Sequence, residues 1–174
     1  MSAKVLFSTC HGSRLYGLSH ANSDYDYYTV TDAGSAKAHQ SIKELDDTFT
    51  VGLGTWMEMC KKGVPQALEA MFSQKEEFDN IGFIRKNYVS GISATDTYLR
   101  TIKALCYDGT YKAKRHSLRL ALNLYDLQRS GRFNPTLSPN EVDFVSDKAN
   151  RDSDAVYATA MNIALDRLPP SMVR

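Results

Sequence analysis

The chain has 174 residues, 43% of them apolar and 24% charged, with a formal net charge of +1. That length suits one ordinary domain, or a small domain with a helical appendage, and leaves little room for two independent ones. The near-neutral balance argues against a polyanionic partner gripped over a wide surface, so any nucleic-acid contact is expected to be local.

Three cysteines, Cys10, Cys60 and Cys106, are odd in number and far apart, with no CxxC spacing. This argues against a disulfide scaffold or a structural zinc site and favours a reducing compartment. No apolar run approaches the roughly 18–20 residues of a membrane span, and the opening MSAKVLFSTCHG is too short in apolar residues for a signal peptide. A soluble, cytoplasmic protein without membrane contact is expected.

In chain order, Lys4 to Ser8 reads as a buried strand that Gly12 breaks. Arg14 to Leu18 reads as a brief helix with Ser13 as its cap and the N–H groups of Gly12, Ser13 and Arg14 turned toward an anion. Ser23 to Val30 is a second strand, rich in Tyr, Thr and Val. Thr31 to Gln40 has loop composition, and Glu44 to Val51 alternates as a half-buried third strand with Asp47 near its start. Helices are expected over Thr55 to Lys62, from Pro65 through PQALEAMFS, and from Glu76 to Tyr88.

After Gly91 the pattern is helical throughout. Asp96 to Tyr107 is one segment, and Tyr111 to Arg129 is the most periodic stretch, with Leu118, Ala121, Leu122 and Tyr125 on one stripe. Lys112, His116 and Arg119 share a different face. Gly131 stops that helix. Ser138-Pro139-Asn140-Glu141 is a capping box that starts a helix to about Ala149, and a last helix runs from about Asp154 to Leu168 before Pro169 and Pro170.

The stretch HGSRLYGLSHANSDYDYYTV, His11 to Val30, carries the chemistry. Residues two apart on a strand share a face, which places the Asp24 and Asp26 carboxylates roughly 6–7 Å apart along the chain. Two such charges repel unless a cation sits between them. Nucleotidyl and phosphoryl transfer need donors to hold a triphosphate and metal ions bridging it to carboxylates. A Gly-Ser turn after a strand, followed by Asp-x-Asp, supplies both. A serine or cysteine nucleophile within Cys10-His11-Gly12-Ser13 is disfavoured, because adjacent residues on extended chain point apart. Tyr25 reads as core, Tyr27 as ambiguous, and Glu69 as a surface or helix-dipole residue.

These residues resemble the signature of the DNA polymerase β-like nucleotidyltransferase superfamily, a Gly-Ser turn followed about ten residues on by Asp-x-Asp. The match is nearest to the predicted nucleotidyltransferases of bacteria and their phages, in which GSRLYG and SDYDY recur. KKGVPQALEAMF is similar to that family's helix ending in Gly-Asn-Pro and its Leu-Glu-Leu segment, with Val64 where asparagine is usual. YKAKRHSLR resembles its Lys-x-x-x-His-x-x-Arg helix and SGRFNP its glycine turn, so the likeness spans most of residues 4 to 140.

The resemblance implies an α/β (α+β) fold, a small mixed sheet flanked by helices, with residues 1–90 as catalytic core and 91–174 as a helical segment closing a nucleotide cleft. It implies metal-dependent transfer of a nucleoside monophosphate from a triphosphate (ATP or another) to an acceptor hydroxyl on protein, RNA or a small molecule. Asp24, Asp26 and a third carboxylate would serve catalysis and bind Mg²⁺ or Mn²⁺. The third is Asp47 by ungapped alignment from Pro65, with Asp46 as competitor. Gly12, Ser13 and Arg14 would bind phosphates, although Arg14 reads equally well as an exposed arginine. Lys112, His116 and Arg119 would reach the triphosphate or a nucleic-acid substrate, although by spacing alone they form a solvated face. The helix that often precedes the family's first strand is expected to be missing or supplied differently, and a homodimer is one way to cover the sheet. The alternatives are a non-catalytic nucleotide- or nucleic-acid-binding module on the same scaffold, and an interaction protein such as a toxin–antitoxin component or phage accessory factor.

Overall fold

The computed structural model describes residues 2–34, 38–43 and 46–165. The expected strand start at Glu44 and the helix end at Leu168, Pro169 and Pro170 lie outside them. The chain divides into two compact units, Met1–Tyr88 with Asn134–Thr136, and Val89–Phe133 with Leu137–Arg174. The architecture is mixed α/β, as expected.

The first unit holds one five-stranded sheet. Its strands are β1 (Val5–His11), β2 (Tyr25–Thr31), β3 (His39–Lys43), β4 (Asp46–Gly52) and β5 (Glu76–Asp79), in the spatial order β3-β4-β2-β1-β5. The β2–β4 pair is parallel and the other pairs are antiparallel. Helices α1 (Gly12–Tyr16), α2 (Leu53–Lys61), α3 (Pro65–Phe72) and α4 (Gly82–Asn87) complete it.

Alternation sorts the sheet into two faces. Phe7, Thr9 and His11 of β1, Tyr28 and Val30 of β2, and Val51 of β4 are buried. The Phe7 ring stacks on Trp56 of α2, 5.8 Å between centroids. Trp56 Nε1 donates to the Ala67 carbonyl at 3.2 Å, tying α2 to α3. Fully burying a large apolar side chain such as Phe7 or Val30 stabilises the unit by roughly 1.5–3 kcal/mol.

Three local expectations need correction. The α1 helix begins at Gly12, with His11 rather than Ser13 at its N-cap and no side-chain cap, and ends at Gly17 in the left-handed region. A fifth strand and a short helix replace the single helix expected over Glu76 to Tyr88. The free edge of β1 recruits β5, pairing Phe7 with Asp79 and Ser8 with Phe78. The Asp79 carboxylate accepts from Ile81 N and pairs with Arg85, which turns the chain into α4. Edge pairing overrides helical propensity there. The other added strand, β3, emerges from the segment of loop composition. Its polar HQSIK is typical of an edge that must not attract other chains.

The second unit is helical: α5 (Ala94–Asp108), α6 (Tyr111–Ser130), α7 (Pro139–Lys148) and α8 (Ser153–Ala164). Its core is built from Tyr98, Ile102, Leu118, Ala121, Leu124, Val156 and Ala160, all fully buried. Thr110 caps α6 by accepting from Ala113 N, and Gly131 ends it at φ +71°. The capping box forms as read: Ser138 Oγ accepts from Glu141 N while Glu141 Oε2 accepts from Ser138 N. Among the described residues no helix is long and apolar enough to cross a membrane.

Candidate functional site

The β1–α1 turn packs against β2. His11 pairs with Asp26 across the β1–β2 ladder, and Gly12 follows with φ +63°. A β-carbon on Gly12 would overlap Oδ2 of Asp26 and fall 2.8 Å from its Cγ. Glycine is therefore required twice here, for its backbone conformation and for the close approach of a carboxylate.

On the other side of β2, the parallel register sets Asp26 opposite Asp47, and Tyr25 opposite Asp46. Residues level with each other on adjacent strands share a face, so Asp47 is the acid that accompanies Asp26. Its Oδ2 accepts from Gln40 Nε2 at 2.5 Å, and its buried Oδ1 has no hydrogen-bond partner among the described residues. Two carboxylates in register repel, and a buried lone pair without a donor is costly. A cation shared by the pair would relieve both costs.

Asp24 stands on the exposed lead-in to β2, one residue before the strand. Its carbonyl accepts from Arg14 Nε at 3.2 Å, and Arg14 Nη2 donates to the Ser23 carbonyl at 2.6 Å. The guanidinium lies over the Tyr25 ring, 3.7 Å from its centroid. Arg14 thus fastens the start of β2 to α1. Tyr25, expected in the core, is 45% exposed beneath it, whereas Tyr28 is buried. Ser13 is half-buried, its carbonyl accepting from Leu18 N.

Below the turn lies a polar cluster that sequence reasoning missed. Glu69 of α3, expected on the surface, is completely buried. Its Oε2 accepts from Tyr16 Oη at 2.5 Å and lies 3.4 Å from His11 Nε2. The His11 ring also packs against those of Tyr16 and Tyr28, at 5.8 and 5.5 Å. Burial, with added contributions from Cys60 and Glu69, pushes the Tyr28 hydroxyl up, so it stays protonated. The signal in the sequence was weak: an acid between Leu68 and Ala70 in a short, largely apolar helix.

Lys112, His116 and Arg119 lie along α6 of the helical unit. Lys112 is exposed, His116 half-buried and Arg119 buried. Arg119 Nε donates to His116 Nδ1 at 3.4 Å. Burial first, then the Arg119, Arg115 and Lys112 cations, push the His116 imidazole down to about 3, so it is neutral near pH 7.

The structure therefore gathers Gly12, Asp26 and Asp47, with Ser13, Arg14 and the Asp24 backbone at their edge. Among the described residues, no three His, Cys, Asp or Glu side chains stand together as a ready-made metal cage. A carboxylate pair nonetheless suits Mg²⁺, which binds through one or two carboxylates and takes its other ligands from water and phosphate. Searched against known protein families and curated proteins, the chain matches none.

Proposed function

We propose that this chain is a metal-dependent nucleotidyltransferase that moves a nucleoside monophosphate from a triphosphate to an acceptor hydroxyl. The observation that carries the reading is the pairing of Asp26 with Asp47 beside a glycine whose missing side chain makes room for the Asp26 carboxylate.

Asp26 and Asp47 would hold Mg²⁺ or Mn²⁺, with Asp24 exposed on the lead-in to β2, and the ion when bound supplies charge neutralisation and polarisation of the phosphoryl oxygens. The amides of Gly12 and Ser13 take the terminal phosphates, as backbone N–H groups at a glycine turn can. Asp47 accepts the proton of the acceptor hydroxyl, whose oxygen bonds to the α-phosphorus as the bond to the bridging oxygen breaks and pyrophosphate leaves.

The second reading is a nucleotide- or nucleic-acid-binding module without turnover, favoured by the absence of a three-ligand cluster among the described residues. The test is incubation with each α-labelled triphosphate, Mg²⁺ or Mn²⁺ and a cell extract as acceptor source. Wild type labels an acceptor, and Asp26→Asn, with an unchanged circular dichroism spectrum, does not. Undiminished labelling by Asp26→Asn overturns the proposal. Metal-dependent triphosphate binding without any labelling selects the second reading.

A further inference from the structure

The polar cluster beneath the Gly12–Ser13 turn contains one expensive group. A fully buried carboxylate forgoes strong hydration, and a well-packed apolar residue of similar volume often serves a fold as well or better. Glu69 is such a carboxylate, with no exposed surface.

What it touches gives it a purpose. One oxygen, Oε2, accepts from the hydroxyl of Tyr16, the last residue of α1, and lies 3.4 Å from Nε2 of His11, the residue at that helix's N-cap. One atom of α3 thus hydrogen-bonds the last residue of a five-residue helix and lies against the residue at its N-cap. The segment between them carries Gly12 and Ser13, and its N-cap His11 is the ladder partner of Asp26. An N-cap lacking a side-chain acceptor and a single helical turn have little intrinsic rigidity. Their orientation must come from tertiary contacts, and the buried Glu69 carboxylate reaches both ends.

We infer that Glu69 is a positioning residue: it clamps the Gly12–Ser13 turn from beneath, holding that turn against the Asp26 carboxylate and so fixing the surface on which a metal-bound triphosphate would rest. Tyr16 and His11 are the arms of the clamp, and Glu69 itself touches no substrate. The structural half stands on the geometry. The phosphate half rests on the nucleotidyl-transfer reading.

The experiment compares wild type, Glu69→Gln, Tyr16→Phe and, as a packing control, Leu68→Ala from the buried face of the same helix. Two quantities are read well below the melting range: hydrogen exchange of the Gly12 and Ser13 amides without ligand, and affinity for Mg²⁺–triphosphate. In Glu69→Gln, exchange is expected to be about tenfold faster at Gly12 and Ser13 but unchanged in β4. Triphosphate affinity is expected to fall by about tenfold, the usual scale for removing a supporting group. Tyr16→Phe repeats both effects more weakly, and it decides the matter if Glu69→Gln does not fold. Leu68→Ala lowers the melting temperature while changing neither quantity. Unaltered turn exchange in Glu69→Gln and Tyr16→Phe, or an equal change in Leu68→Ala, overturns the clamp. A wild type that binds no triphosphate while Glu69→Gln still frees the turn overturns the nucleotidyl-transfer reading and leaves the clamp standing.

Discussion

Gly12 and Asp26 occupy the same space up to the limit of contact: the carboxylate of one fills the volume where the other would carry a side chain. Gly34 has nearly the same backbone conformation, φ +61° against +63°, but open space around it. The two glycines therefore separate strain from steric conflict. Gly34→Ala should cost roughly 1–2 kcal/mol, the penalty for a left-handed residue with a β-carbon. Gly12→Ala should cost more, because Asp26 must also be displaced. It should also weaken Mn²⁺ binding, which Gly34→Ala leaves alone. Urea unfolding and Mn²⁺ titration of both variants check this, and equal losses would mean that Asp26 yields without consequence.

The β2–β4 register singles out one of two adjacent acids. Asp47→Asn removes a like charge level with Asp26, whereas Asp46→Asn changes a residue level with Tyr25. In metal-free buffer Asp47→Asn is expected to melt higher than wild type, because a carboxylate pair is relieved. With Mg²⁺ the order reverses, since wild type gains stability from the bound ion and the variant does not. Nucleotidyl transfer should fall by about a hundredfold or more in Asp47→Asn, the scale of a lost general base. Asp46→Asn should stay within about twofold of wild type, as expected of an exposed residue away from the chemistry. Melting curves with and without Mg²⁺, beside a label-transfer assay, read both effects.

The glycine break after β1 and the strand that carries Asp26 were legible in the sequence because local rules govern them, whereas Asp24, read onto that strand, stands one residue before it. Period-two alternation and a glycine break need no knowledge of the rest of the chain. Which of Asp46 and Asp47 stands level with Asp26 was not legible, since that depends on strand register, a property of two segments together. The burial of Glu69 was not legible: its partner Tyr16 lies 53 positions earlier, and a lone acid on a short helix looks like any surface residue. Strand β5 was read as helix because its extended state is imposed by the edge of β1. The capping box at Ser138 and the stop at Gly131, both local, were read correctly.

Arg14 offers a test of what its charge is for. If it served phosphate as a point charge, lysine would replace it with little loss. Its planar group instead lies on the Tyr25 ring and donates to the Ser23 and Asp24 carbonyls, a geometry that lysine cannot reproduce. Arg14→Lys and Arg14→Ala are therefore expected to loosen the start of β2 to a similar degree, read as faster amide exchange around Tyr25, and to lower transfer alike. Full activity in Arg14→Lys with a large loss in Arg14→Ala would assign the charge to phosphate binding.

His116 should give the helical unit an acid sensitivity. Its folded-state value, pushed to about 3 by burial and by Arg119, Arg115 and Lys112, lies below the ordinary 6.5 it regains on unfolding. Between those values the unfolded chain holds a proton that the folded chain does not, so stability rises with pH. This contribution is fully present above about pH 6.5 and is lost as the pH falls toward 3, with a slope of at most about 1.4 kcal/mol per pH unit. His116→Gln removes the titrating group and keeps polar atoms in its place. Urea midpoints at pH 7.5, 6 and 5 should decline more steeply for wild type than for His116→Gln. Parallel declines would show that the imidazole takes up its proton in the folded protein, with the surrounding cations failing to hold it neutral.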